Sequence, residues 1–167
     1  MTRVCIFGAG AIGGYVGAAL HEAGADVSLV ARGPHLAAIR DNGLGLEKGS
    51  TTTRYRFAAS DKSADLGKQD YVILAIKAHT IPMIIDDLAP LLGPDTAVVS
   101  AVNGLPWWYF HKAQTGTALD ETPLEAVDPG GRVWNEIGPE RAIGCVVYPA
   151  CEIAEPGLVK HIDGDRF

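Results

Sequence analysis

Three glycines near the N-terminus have the spacing of a loop that can hold a phosphate. Gly8, Gly10 and Gly13 form a G-x-G-x-x-G pattern within VCIFGAGAIGGYVGAAL, between an apolar run and a helical pattern. In such a loop Gly8 permits a tight turn, Gly10 lets a pyrophosphate approach the backbone, and Gly13 lets the helix pack closely on the strand. The N–H groups of the first helical turn then point at the anion. The same residues also fit a tight turn that binds no ligand.

An arginine follows the second strand-like run, where dinucleotide-binding proteins distinguish NAD from NADP. The sequence there reads SLVARGPH, which places Arg32 where an NAD-binding protein usually has Asp or Glu, the acceptor for the ribose 2′-hydroxyl. A guanidinium instead suits a 2′-phosphate, because it donates paired, charge-assisted hydrogen bonds. Arg32 therefore predicts a preference for NADP(H). The alternative is a solvated arginine at the end of a strand.

Two more polar residues follow strand-like runs further along the chain. Lys77 comes after YVILAI, and Asn103 comes after AVVSAV. Ligands of open α/β sheets bind outside the carboxyl ends of the strands, so we expect both residues to lie at the same sheet edge as Gly8 and Arg32. Taken singly, Lys77 also fits an ordinary surface lysine, and the dipeptide Asn103-Gly104 also fits a turn.

The elements that would position these residues alternate between strands and helices. The predicted strands are Val4–Phe7, Val27–Val30, Tyr71–Ile76 and Thr96–Val102. The predicted helices are Ala11–Ala23, Pro34–Ile39 and Thr80–Leu92, the last with Thr80 as N-cap and Pro82 in its first turn. This alternation predicts a Rossmann-type, doubly wound α/β fold, with a mostly parallel sheet and helices on both faces.

The remaining segments predict additions to that sheet within one domain, residues 1–167. Residues 44–57 alternate weakly and are rich in threonine, which indicates a hairpin. Residues 112–141 read as a loop-rich excursion, and residues 142–162 as two closing strands, 142–147 and 157–162. Glu152 and Glu155 have no visible acid–base partner and fit a polar hairpin.

Composition narrows the range of partners. The formal net charge of −6 argues against nucleic acid or an anionic membrane surface as a partner. No apolar run has the length of a membrane span, and the N-terminus lacks the layout of a signal peptide. The three cysteines, Cys5, Cys145 and Cys151, are an odd number without zinc-ligand spacing. We therefore expect a cytoplasmic protein with no bound metal.

The motifs together resemble one family. GAGAIGG, Arg32, IKAHT and VNGLPWWYF occur in the order found in ketopantoate reductase (2-dehydropantoate 2-reductase), and the resemblance to its N-terminal NADPH-binding domain covers essentially the whole chain. GCVVYPACEIAEPGLVKH resembles the strand pair that closes that domain. The resemblance implies hydride transfer from NADPH to ketopantoate, giving pantoate for pantothenate and coenzyme A biosynthesis. Relatives with this layout also reduce other 2-keto acids.

The resemblance also implies roles for individual residues. The implied cofactor-binding set is Gly8, Ala9, Gly10, Ala11, Ile12, Gly13, Arg32, Lys77, Asn103 and Ala150. Arg32 would hold the 2′-phosphate with help from Lys77 around the adenosine ribose. Asn103 would lie near the nicotinamide ribose and the 2-keto acid substrate, and the backbone of Ala150 would lie beside the cofactor.

The family's general-acid lysine and substrate-binding glutamate belong to a second, all-helical domain. This chain ends at Phe167, where that domain would begin, so no catalytic residue is assigned within it. We expect the chain to bind NADPH with little reductase activity by itself. A non-catalytic NADP(H)-binding regulatory module is an alternative, as is a related NADP-dependent 2-keto acid reductase. Reductases of the 6-phosphogluconate or 3-hydroxyacid type fit KAHT and NGLPWW less well.

An aromatic cluster follows Asn103. Residues Trp107, Trp108, Tyr109 and Phe110 are consecutive. They fit either the protein core or an exposed apolar patch that would favour self-association.

Overall fold

Ten strands and four α-helices make up the chain, and the structure, a computed structural model, describes residues 1–167. The strands are β1 (Arg3–Phe7), β2 (Asp26–Val30), β3 (Leu44–Lys48), β4 (Thr51–Tyr55), β5 (Ala58–Ser60), β6 (Gln69–Leu74), β7 (Leu92–Ala101), β8 (Ala142–Cys145), β9 (Ala150–Glu155) and β10 (Leu158–Asp163). The helices are α1 (Ala11–Glu22), α2 (Gly33–Asn42), α3 (Ile85–Leu88) and α4 (Arg132–Glu136). None of them has the length and apolar character needed to cross a membrane.

The main sheet has six strands in the order β5-β2-β1-β6-β7-β8, and every neighbouring pair is parallel. The chain therefore builds outwards from β1, first towards β5 and then towards β8. This is the doubly wound arrangement predicted from the sequence, and its switch point lies between β1 and β6.

Side chains of the central strand alternate between two apolar cores, one on each face of the sheet. Val4 and Ile6 belong to the core that includes residues of α1 and α2, whereas Cys5 and Phe7 belong to the core that includes residues of α3 and α4. Because both faces of β1 are covered from Val4 to Phe7, that part of its sequence is continuously apolar. Burial raises the pKa of the Cys5 thiol to about 12, so this cysteine stays protonated inside the sheet.

A second sheet, in the order β4-β3-β10-β9, covers the outer side of α1. β3 and β4 form the hairpin that the sequence predicts, β9 and β10 form another hairpin, and β3 pairs with β10 in parallel. Glycines allow α1 to fit between the sheets. A Cβ at Gly17 would lie 3.3 Å from Ile6 on the main sheet, and one at Gly14 would lie 2.8 Å from Val159 on the second sheet.

The helix predicted over Thr80–Leu92 is wrong. That stretch contains a 3-10 helix over Ala78–Met83, the short α3, and another 3-10 turn over Ala89–Leu91. Pro82 lies inside the first of these and Pro90 inside the last, and a proline removes a helical N–H and crowds the preceding turn. Thr80 is not an N-cap: its hydroxyl donates to the carbonyl of Lys77 at 2.7 Å.

The segment over residues 112–141 contains turns, 3-10 helices and α4. Its one fully buried acidic side chain is Asp128, whose carboxylate accepts hydrogen bonds from the N–H groups of Val133 and Trp134, both at 2.8 Å. Asp128 thereby pairs two N–H groups at the start of α4, within the same segment.

The aromatic cluster does not form one exposed patch. Trp107 is 3% exposed and packs in the core beneath α3 and α4, and Trp108 and Phe110 are half-buried. Only Tyr109 is exposed. The structure therefore does not support self-association through residues 107–110.

Candidate functional site

The loop between β1 and α1 requires glycine at two of its three motif positions. Gly8 has φ +103°, and a Cβ there would lie 2.5 Å from the side chain of Ile76. A Cβ at Gly13 would lie 2.1 Å from the carbonyl oxygen of Gly8. The N–H groups of Gly8 and Ala9 both donate to the carbonyl of Val30, at 3.1 and 3.0 Å. Turn geometry and packing thus account for these two glycines without a ligand.

Gly10 has no such explanation within the chain. Its φ of −71° suits any residue, and an added Cβ would have no atom within 4 Å. Gly10 is the N-cap of α1, yet no side chain caps that helix and no acidic residue lies in its first turn. The helix N-terminus therefore presents unpaired N–H groups and a positive dipole end to open space, a site suited to an anion.

Two cavities meet at Gly10, and each has a volume typical of small-molecule sites. The first, about 320 Å³, is lined by residues that include Gly8, Arg32, His35, Thr80 and Ile153. The second, about 510 Å³, is lined by residues that include Ile12, Lys77, Asn103, Val147 and Cys151. Gly10 and Ile76 belong to both linings. A ligand made of two linked halves fits this arrangement, with its linker at the N-terminus of α1.

Arg32 is the only fully charged side chain in the lining of the first cavity. It follows β2 and is the N-cap residue of α2, with 68% of its side chain exposed. One guanidinium nitrogen lies 3.5 Å from a carboxylate oxygen of Asp87, an ion pair that water largely screens. The guanidinium can therefore exchange this partner for an anionic ligand in the cavity.

His35 was not predicted from the sequence, yet it joins the lining of the first cavity. Its Nε2 lies 2.7 Å from the carbonyl oxygen of Ala9, and its Nδ1 lies 3.0 Å from the N–H of Gly157. A carbonyl only accepts and an N–H only donates, so the proton sits on Nε2 and Nδ1 accepts. In sequence His35 is an unremarkable helix residue, and only the fold brings Gly157 to it.

Lys77 and Asn103 both line the second cavity. Lys77 follows β6, on the opposite side of β1 from β2, and it lines the second cavity but not the first, which Arg32 lines. Its role around the adenosine ribose, implied by the family resemblance, stays a prediction. Asn103 is held by Val147: its Nδ2 donates to the carbonyl of Val147 and its Oδ1 accepts from the N–H, both at 3.1 Å. This pairing leaves one Asn103 N–H and a lone pair on Oδ1 for a ligand.

Ala150 lines neither cavity, and the position of its backbone beside the cofactor, implied by the resemblance, stays a prediction. It begins β9 and is exposed, whereas Cys151 lines the second cavity and Ile153 lines the first. Alternate residues of a strand face the same side, which places Cys151 and Ile153 together and Ala150 on the other face. Burial raises the pKa of the Cys151 thiol, so it is present as a thiol near neutral pH.

Comparisons with known proteins identify the family of this chain. A family model described as Ketopantoate reductase PanE/ApbA matches residues 4–167. A 2-dehydropantoate 2-reductase of Mesorhizobium japonicum is 53% identical over 99% of this chain and 50% of its own length. Another, of Pyrococcus horikoshii, is 36% identical over 81% of this chain and 42% of its own. The chain therefore spans about half the length of the curated relatives it matches.

Comparison with solved structures identifies the same family. A Ralstonia solanacearum protein, proposed to be a ketopantoate reductase, has a TM-score of 0.89 and 42% identity to this chain. The match covers 98% of this chain and 50% of that one.

Proposed function

Because this chain belongs to the ketopantoate reductase family, we propose that it is the NADP(H)-binding domain of an enzyme that reduces ketopantoate to pantoate. The observation that carries the proposal is that neither turn geometry nor packing requires a glycine at position 10. The glycines at positions 8 and 13 serve the turn itself, but the one at position 10 serves only a ligand that approaches the N-terminus of α1. A tight turn without a ligand leaves that glycine unexplained.

The dinucleotide would lie across Gly10, with one half in each cavity. Its pyrophosphate would accept hydrogen bonds from the free N–H groups at the start of α1. The adenosine half would occupy the first cavity, where the guanidinium of Arg32 can bind a 2′-phosphate in place of Asp87. The nicotinamide half would occupy the second cavity, near Lys77 and Asn103.

When bound, the reduced nicotinamide supplies the hydride for the ketone carbon of the substrate. The residues of this chain would bind and orient the two reactants. Asn103, with its amide fixed by Val147, would orient the nicotinamide ribose or the keto acid through its remaining N–H and lone pair. Lys77 would place a positive charge in the same cavity, where the substrate carboxylate and the pyrophosphate bring negative charge.

Protonation of the product alkoxide is not assigned to a residue of this chain. The resemblance places that proton donor in a further helical domain, so we expect little turnover from these residues alone. A cytoplasmic setting is part of the proposal, since the three cysteines are free thiols.

Parallel calorimetric titration with NADPH and NADH tests the proposal. We expect NADPH to bind about tenfold or more tightly than NADH, because only NADPH offers a 2′-phosphate to Arg32. Failure of both nucleotides to bind would overturn the assignment. A steady-state assay with ketopantoate tests the expectation of little turnover from these residues alone, and normal turnover from this polypeptide would contradict it.

A further inference from the structure

We propose that His35 is a positioning residue that sets the orientation of the phosphate-binding loop. The imidazole holds the Ala9 carbonyl and so aims the Gly10 N–H at the pyrophosphate. This inference rests on the proposed NADP(H) binding and assigns a role to a residue that the family motifs quoted above do not include.

The peptide between Ala9 and Gly10 is the point at which His35 acts. The imidazole Nε2 donates to the Ala9 carbonyl at 2.7 Å. In a planar trans peptide the C=O and the following N–H point in opposite directions. When His35 draws the Ala9 carbonyl towards itself, the N–H of Gly10 must point the other way, out of α1 at its N-terminus. That N–H makes no hydrogen bond to a backbone carbonyl of the chain.

The imidazole is itself held from the other side. The N–H of Gly157 donates to Nδ1 at 3.0 Å, which forces the proton onto Nε2, the nitrogen that faces Ala9. Gly157 lies in the turn between β9 and β10 and has φ +78°. A Cβ on it would lie 2.8 Å from Ala38, one helical turn beyond His35. The turn therefore sits directly on α2 and has little freedom to move away from the ring.

His35 thus links the glycine loop, α2 and the second sheet through one side chain. The second sheet also supplies Ile153 to the first cavity and Cys151 to the second. The loop that binds the pyrophosphate and the strand that walls both cavities are held in register by the same imidazole. Since the pyrophosphate is common to NADH and NADPH, His35 should affect both nucleotides equally, in contrast to Arg32.

Three substitutions separate the two hydrogen bonds of the ring. In His35→Gln the amide nitrogen can replace Nε2 as donor to Ala9. In His35→Asn the shorter amide can replace Nδ1 as acceptor from Gly157 but does not reach Ala9. His35→Phe keeps a ring and loses both bonds. NADPH and NADH are titrated against each variant, and thermal unfolding of the unliganded chain is measured alongside.

We expect His35→Phe and His35→Asn to weaken both nucleotides by about fivefold, the loss expected from one hydrogen bond, with His35→Gln within about twofold of the wild type. A residue that only stabilised the fold would make affinity follow the thermal midpoint, with Asn and Gln equivalent. Equal affinity of the Phe variant and the wild type, or equal losses in Asn and Gln, would overturn the inference. If the wild type itself bound neither nucleotide, the proposed function would fail instead.

Discussion

The two cavities that meet at Gly10 differ in how their polar groups are held. In the first, Arg32 is mostly exposed, and its partner is another exposed side chain, Asp87. In the second, Asn103 is fixed by two hydrogen bonds to the backbone of Val147. The guanidinium of Arg32 can select an anionic group on the ligand, because it loses only a solvent-screened ion pair with Asp87 when it binds that group. A fixed amide can hold a reacting group in one orientation, because its own geometry is already set.

The contrast between the cavities leads to separable effects of mutation. Changes at the shared Gly10 should affect any dinucleotide, and changes at Arg32 should affect only the choice between NADPH and NADH. Changes in the second cavity should leave that choice intact.

The largest effect is expected from Gly10→Asp. The new carboxylate would occupy the space of the pyrophosphate and repel it, and binding of both nucleotides should fall about a hundredfold or more. The unliganded chain should be as stable as the wild type or gain a few tenths of a kcal/mol, roughly, because aspartate is a favourable N-cap for α1. Calorimetric titration and urea denaturation measure the two quantities.

Gly13→Ala is the matched control for that prediction. Its Cβ would collide with the Gly8 carbonyl, so it should cost about 1–3 kcal/mol of folding stability. If Gly10→Asp destabilised the chain as much as Gly13→Ala, Gly10 would be a structural glycine. The proposal of an anion site at Gly10, shared by the two cavities, would then be wrong.

Arg32→Ala should weaken NADPH by about tenfold or more and leave NADH unchanged, since one charge-assisted hydrogen bond contributes about 1.5–3 kcal/mol. Arg56→Ala is the control, because Arg56 is exposed and lies outside both cavities, and its substitution also removes one positive charge. Equal losses for both nucleotides would show that Arg32 does not bind the 2′-phosphate.

Lys77→Ala distinguishes a role for Lys77 in the second cavity, which it lines, from the role around the adenosine ribose that the resemblance implies. Because Lys77 lines the second cavity, its removal should weaken NADPH and NADH alike, by about fivefold. Their affinity ratio should not change. A loss confined to NADPH would place Lys77 with Arg32 at the 2′-phosphate.

The smallest effect is expected from Asn103→Ala. The side chain is exposed, so the loss of its two bonds to Val147 should lower the free energy of unfolding by only about 0.5–1 kcal/mol. Urea denaturation measures this change. Asn103→Asp, which keeps the acceptor and loses the donor, should fall between the alanine variant and the wild type. If the free energy of unfolding did not change in Asn103→Ala, the two hydrogen bonds to Val147 would not hold the amide.

Sequence patterns predicted the parts of the fold that depend on local order. The buried parts of β1 and β6, Val4–Phe7 and Val72–Leu74, are continuously apolar, and the glycine motif marks the first turn. The doubly wound sheet and the edge carrying Arg32, Lys77 and Asn103 could therefore be anticipated. The break of the third helix could also have been found, because Pro82 and Pro90 are visible in the sequence.

The rest of the site depends on contacts between distant residues, which no local pattern records. His35 meets Gly157 across 122 positions, and nothing in the composition of α2 indicates this. The face that β9 presents to the cavities depends on its register, and a shift of one residue exchanges Ala150 for Cys151. The separation of Lys77 from Arg32 required the order of the strands, which periodicity alone does not provide.

The parallel pairing of β3 with β10 joins Leu46 to Val159, both of which are fully or almost fully buried. This contact closes a loop of more than a hundred residues, and contacts of such long range form slowly because the chain entropy must be surrendered first. During synthesis, the β3–β4 hairpin leaves the ribosome long before β10. Leu46 is therefore not covered by Val159 until β10 has followed. The second sheet is therefore completed only after all six strands of the main sheet have been synthesised.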